Sequence, residues 1–445
     1  MNHTSNKKVV ASDNNFFTLN NNQRNYTRRP KTGQALPTFG KVLSDGTIIE
    51  AIYDPTTNNS DLLVITPPSR KFAIMKSYLD PLQRIEYIPP TGRGITDPLT
   101  ILPTHIAKKT VPIPRLFTEV CDFIRKYVYV GDNDLQIMAS YVMLTFVYDQ
   151  FEKIPYLRFF GAHGSGKSRA LRVLRHICYH STNLGASQTA ANIYRILDQI
   201  GNSTLFLDEA NFFDTSKNSD LVKILNDGYS KDGVVYRCDP NNYTPRAYQV
   251  FSPKVIANHT TYDDPALESR MLSIGMKPSK DNDVPISLPV SFKKEADYIQ
   301  GLLLRYRLDF ISEASEFQNY PELSAYDART RETILPLIWS QNHHVVPNYI
   351  LDFLEYQNEL RHERHMFDED AVTAFVILDL VDQGITKSLV KEIRDLVLDQ
   401  SNLDIPYKRI GGYLRSFGCT AIRNNRGVLF DLSRMDKDRL LQRFG

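Results

Sequence analysis

The stretch at residues 156–168, YLRFFGAHGSGKS, restricts this chain more than any other. An apolar run holding Tyr156, Leu157, Phe159 and Phe160 reads as a short buried strand, and the RALRVLRHICYH that follows Ser168 reads as a helix. Between them lies a glycine-rich loop, Gly161-Ala162-His163-Gly164-Ser165-Gly166, closed by Lys167 and Ser168. Gly161, Gly166, Lys167 and Ser168 fit the phosphate-binding pattern G-x-x-x-x-G-K-[ST] in the strand–loop–helix setting it needs. Glycines let backbone N–H groups close around a triphosphate, the helix start adds its positive end, and the lysine reaches the outer phosphates. Ser168 would hold Mg²⁺. The expected ligand is ATP with Mg²⁺, cradled by all eight residues of the loop.

Composition narrows the setting. At 445 residues the chain has room for about two to four domains. The net charge of +2 sets up no global field for nucleic acid, so any basic surface must be local. Cys121, Cys178, Cys238 and Cys419 stand far apart with no paired spacing. They read as reduced core thiols, which argues against a disulfide framework or a zinc site. The chain shows no apolar leader and no run of about 18 apolar residues, so a cytoplasmic protein without a membrane partner is expected.

In chain order, residues 1–35 are rich in Asn, Ser and Thr and read as a disordered arm. Residues 36–112 hold short strand-like runs separated by Pro, Gly and Asn, a small β-rich domain that ends in a proline-rich linker, ILPTHIAKKTVPIP. Two apolar helical patterns lead into the loop strand, the second with Asp132 and Asn133 as candidate caps. After the loop helix come a short strand, an amphipathic helix and STLFLDE, an apolar strand ending in Asp208-Glu209. Asp208 at a strand's carboxyl end can orient Mg²⁺, and Glu209 can polarise an attacking water as general base. A helix then leads to VVYRCDPNNYTPRAYQVF, two strand-like arms around Asp239-Pro240-Asn241-Asn242 that read as a β-hairpin. SPKVIAN is the next buried strand, ending in Asn258, and PALESRMLSIGM holds Arg270 in a turn before a further strand. Alternating strands and helices imply a parallel sheet with helices on both faces, an α/β class.

Across residues 156–276, about a quarter of the chain, the sequence resembles AAA+ ATPases. Within them it is similar to the branch with a β-hairpin before sensor 1, which includes minichromosome-maintenance helicases and related helicases of viruses and mobile elements. GAHGSGKS resembles the family's Walker A motif, TLFLDEA its Walker B, VIAN with Asn258 its sensor 1, and ALESRML with Arg270 its arginine-finger turn. The resemblance implies an AAA+ core at residues 113–280, a helical lid at 281–366, and a hexameric ring of identical chains. Asn258 would position the lytic water beside Glu209, and Arg270 would reach the γ-phosphate of a neighbouring subunit, with Glu268 or Asp264 as alternative local partners. A sensor-2 arginine belongs in the lid, where Arg305 and Arg307 are the candidates. The hairpin would grip single-stranded DNA through Tyr243, Arg237 and Arg246, although its tip lacks the lysine that related helicases often carry.

Arg361-His362-Glu363-Arg364-His365 spaces its histidines by three rather than four, so no metal is assigned there. Residues 367–445 read as three helices followed by a strand–turn–strand, the order of a winged-helix domain. Its basic residues Lys408, Arg409, Arg415, Arg423 and Arg426 are expected to contact DNA. The expected activity is an ATP-dependent DNA helicase or translocase in replication, acting on single-stranded and duplex DNA. The alternative is a replication initiator or helicase loader, a nucleotide-switched DNA-binding protein without unwinding activity.

Overall fold

A computed structural model describes residues 16–18, 24–25, 35–67, 71–90, 100–184, 190–208, 220–238, 244–259, 262, 264–278, 284–312, 319–365, 369–425 and 427–444. The chain divides into two compact units, Met1–Ile350 and Leu351–Gly445.

The centre of the first unit is a six-stranded sheet in the order Thr100–Ile101, Ser181–Leu184, Leu205–Leu207, Lys254–Asn258, Tyr156–Phe160, Met271–Gly275. Every pairing except that of Thr100–Ile101 is parallel. Parallel strands covered on both faces read as apolar runs, and Leu205, Phe206 and Leu207 are all buried. All five parallel strands send their carboxyl ends to one edge, where ligands bind in open α/β sheets. The order has a specific consequence. The strand ending in Asn258 lies between the phosphate-loop strand and the strand that precedes Asp208, with Phe160 opposite Asn258.

The hairpin inserted before this central strand forms as expected, Val234–Cys238 pairing antiparallel with Pro245–Gln249. Its tip, with Tyr243, lies outside the described residues. Helices Ala190–Ile200 and Asp220–Asp227 flank it and bury Leu197, Leu221 and Leu225 in one apolar cluster with Leu205 and Ile256.

Several expectations shift. The segment expected as a lid is packed on the helices that precede the loop: Phe292 of helix Ser291–Ser312 stacks on Phe123 of helix Ile113–Tyr127, and Glu295 accepts from Tyr127 Oη at 2.7 Å. The helix Asp132–Val147 has no side-chain cap; Gly131 precedes it. The proline-rich linker is structured, since Thr100–Ile101 is an edge strand of the core sheet and His105–Ala107 pairs with Phe16–Thr18 of the expected disordered arm. Arg24–Asn25 of the same arm pairs with Lys71–Met75, while the arm's other residues up to 34 lie outside the description.

The β-rich N-terminal part is joined to the core through a buried ionic cluster. Arg307 donates to Glu50 Oε1 at 2.6 Å and to both carboxylate oxygens of Asp149 at 2.9 and 2.8 Å. Tyr179 donates to Glu50 Oε2 at 2.6 Å. Burial pushes the Glu50 carboxyl up further than the Arg307 guanidinium pulls it down.

The second unit contains helices Glu369–Asp382, Val390–Ser401 and Tyr407–Ser416 against a three-stranded antiparallel sheet ordered Lys387–Leu389, Gly427–Asp431, Thr420–Asn424. Ile377, Ile393, Ile410, Leu414 and Phe430 form its core. The strand Lys387–Leu389 and the closing helix Lys437–Phe444 are additions to the expected order.

Candidate nucleotide site

The loop is shaped by glycines at positions that exclude other residues. Gly161 has φ +145°, and a Cβ there would meet the Met276 carbonyl oxygen at 2.5 Å. Gly166, at φ +96°, is the left-handed residue that starts helix Lys167–Arg175. Lys167 is only 8% exposed and bends back over the loop, donating to the carbonyls of Gly161 at 2.6 Å and Ala162 at 2.8 Å. Ser165 N–H donates to Ala162 O at 3.3 Å, while its buried hydroxyl has no partner among the described residues.

Two further elements face this loop across a cavity of about 310 Å³, lined by residues 163–169, Asp208 and residues 257–259. Ser168 Oγ donates to Asp208 Oδ1 at 3.5 Å, which sets the loop's hydroxyl beside the carboxylate. Hard oxygen donors of this kind suit Mg²⁺, and the two expected metal-holding residues are thus brought together. Asn258 is 1% exposed, and neither its Oδ1 nor its Nδ2 has a hydrogen-bond partner among the described residues. A buried amide left unpaired is costly, so its position on the cavity wall marks a place for a polar ligand. Glu209 lies outside the described residues.

Arg270 does not project from the surface as a residue reaching into a neighbour would. It is 8% exposed, lies over the Tyr229 ring at 4.3 Å and donates to Asn226 Oδ1 at 2.9 Å and to the Ala266 carbonyl. Its two alternative local partners are engaged elsewhere. Glu268 holds the buried Arg158 of the loop strand, and Asp264 accepts from Asn226 at 2.6 Å. Of the sensor-2 candidates, Arg307 is sealed in the cluster with Glu50 and Asp149, and Arg305 pairs with Asp309 at 3.1 Å on its own helix. Neither lines the cavity.

The expected DNA contacts sit apart from the cavity. On the hairpin, Arg237 pairs with Asp220 at 3.0 Å and Arg246 with Asp198 at 2.7 Å, carboxylates of the two flanking helices. In the second unit Lys408, Arg409, Arg415 and Arg423 are exposed, Arg409 pairing with Glu369 at 3.0 Å and Arg415 lying over Phe430. Arg426 lies outside the described residues. Cys121, Cys178 and Cys419 are buried as expected, but Cys238, at the end of a hairpin arm, is exposed.

One cavity residue escaped the sequence reading. His259 follows Asn258, and its Nδ1 is 3.1 Å from Gly161 O and 3.4 Å from Lys167 Nζ. Its ring lies 4.1 Å from that of His163, centroid to centroid. The only signal available was its place directly after the strand-end asparagine.

No protein-family model matches the chain, and no curated protein matches it by sequence. Among solved structures it is similar to the A-form apo structure of the NrS-1 C-terminal region, at 13% identity and a TM-score of 0.36, over 86% of this chain and 96% of that one. It is also similar to the X-ray structure of JCV helicase, at 13% identity and a TM-score of 0.29, over 55% of this chain and 60% of that one. At these TM-scores the overlays do not establish a common fold. Among the described residues no helix is long and apolar enough to cross a membrane.

Proposed function

We propose that the chain is an ATPase of the AAA+ kind whose hydrolysis drives translocation on DNA and unwinding during replication. The observation that carries the ATPase reading is the Asn258 amide, buried and without a partner among the described residues on the wall shared by the phosphate loop and Asp208. In this reading Lys167 leaves the loop carbonyls for the outer phosphates, where its ammonium meets full negative charge in place of two neutral acceptors. Ser168 and Asp208 hold Mg²⁺, which supplies neutralisation of phosphate charge. Asn258 orients the attacking water and Glu209 takes its proton. Arg270 serves the site of a neighbouring chain, and to do so it must come off the Tyr229 ring. The ring of subunits, the winged-helix reading of residues 367–445 and their contact with duplex DNA belong to the same proposal. The hairpin with Arg237, Tyr243 and Arg246 takes the single strand.

The test is strand displacement on a forked duplex by the wild-type chain and Lys167→Ala, with ATP and Mg²⁺. ATP-dependent displacement that Lys167→Ala lacks is the expected result. ATP turnover with tight duplex binding and no displacement would instead favour an initiator or loader. The observation favouring that second reading is that both hairpin arginines are already paired with carboxylates of their own chain.

A further inference from the structure

The hairpin is rooted on a buried charge. Lys254 opens the strand that ends in Asn258, and its side chain is fully buried. Its Nζ donates to the carbonyls of Gly228 at 3.2 Å, Val250 at 3.0 Å and Ser252 at 3.0 Å. An ammonium has three protons to give, and here each has an acceptor. Gly228 precedes the first hairpin arm and Val250 follows the second, so one side chain joins both feet of the insertion. The approach is close: a Cβ on Gly228 would lie 2.5 Å from Val250 O and 2.8 Å from Lys254 Nζ.

The same residue is fixed to the nucleotide side. Its Nζ lies 4.8 Å from the ring centre of Tyr156, the first residue of the phosphate-loop strand. Its backbone N–H donates to Tyr141 Oη at 3.0 Å, and Tyr141 Oη donates to its carbonyl at 2.9 Å. Next to Gly228 stands Tyr229, on whose ring Arg270 rests. Packing alone does not call for a lysine here. Burial without a carboxylate pushes the ammonium down to about 7, and methionine would fill similar volume without that penalty. What the lysine adds is direction: three bonds that hold two hairpin feet and one strand end in register.

We propose that Lys254 is a positioning residue that links the hairpin root to the strand carrying Asn258, so that DNA held by the hairpin changes the rate of ATP hydrolysis. The proposal rests on the ATPase reading above. The variant that tests it is Lys254→Met, compared with wild type for thermal midpoint, basal ATP turnover and turnover at saturating single-stranded DNA. The folded variant keeps its basal rate and its KM for ATP, while the ratio of stimulated to basal turnover falls by about fivefold or more. Stimulation retained in a folded Lys254→Met overturns the proposal alone. A wild-type chain that hydrolyses no ATP, or ignores DNA, overturns the functional reading with it.

A second measurement needs no variant. In the wild-type chain the stimulation ratio falls between about pH 6 and about pH 8, as the ammonium loses its proton. The other titratable groups facing the root are the Tyr141 and Tyr156 phenols, which burial pushes up, the Tyr229 phenol, which burial raises but Arg329 and its neighbouring cations pull below its usual range, and the Asp227 carboxyl, which burial pushes up against the pull of Arg270. None of these loses its charge as pH rises. A ratio that is flat in the wild-type chain and no higher than that of Lys254→Met overturns the proposal.

Discussion

The phosphate loop and the hairpin hold their polar groups in opposite conditions. Around the loop, the Asn258 amide and the Ser165 hydroxyl are buried and have no partner among the described residues, and Lys167 donates to backbone carbonyls and lies beside His259. On the hairpin, Arg237 and Arg246 are partly exposed and already matched with Asp220 and Asp198. The difference is one of cost. A cavity wall with unmet hydrogen bonds gains by taking a ligand, whereas a paired surface arginine must first give up a partner worth about 0–1 kcal/mol. On the proposed reading, the nucleotide cavity is built in advance, and the hairpin's DNA-binding arginines have to be released.

Four substitutions would break or sharpen that contrast. Arg270→Ala should lower ATP turnover the most, about 10³-fold, if the arginine acts on a neighbour's nucleotide. Mixing it with inactive Lys167→Ala chains should recover part of the activity, and no recovery would leave Arg270 as a support for Tyr229 only. Lys167→Ala alone should cost about 10²–10³-fold in turnover, the usual loss for one preorganised charge donor. A smaller loss, read by the same steady-state assay, would mean that the loop does not hold the reacting phosphate. Asp198→Asn should act in the other direction: freeing Arg246 should tighten single-stranded DNA binding by up to about fivefold, measured by fluorescence anisotropy. Weaker binding would place the arginine's value in the ion pair and not in DNA. Least visible is Arg423→Ala in the second unit, which should weaken duplex binding similarly across sequences and reduce the salt slope by about one. An unchanged slope would remove that residue from the backbone contacts.

What could be read from the sequence followed from how local each signal is. Gly161, Gly166, Lys167 and Ser168 are tied to one backbone shape, and Asp208 and Asn258 each end a short apolar strand, so spacing alone placed them on one sheet edge. The hairpin was legible for the same reason, with two strand-like arms on either side of a polar turn that pair antiparallel. Arg307 was not legible. It lies in a helical run that looks like a lid, but its partner Glu50 is 257 residues away in another sheet. The strand Lys387–Leu389 has three residues and exists through its pairing with Gly427–Asp431, with no periodicity of its own to announce it. Lys254 gave no warning either, because a lysine opening an apolar strand ordinarily points to solvent, and this one reaches carbonyls on both sides of an insertion.

The central claim is that the cavity beside Asn258 turns over ATP in response to DNA. The direct measurement is phosphate release by the purified wild-type chain, with ATP and Mg²⁺, in the absence and presence of single-stranded DNA. Turnover should rise with DNA and be lost in Lys167→Ala. Turnover that is absent, or equal in wild type and Lys167→Ala, would contradict it.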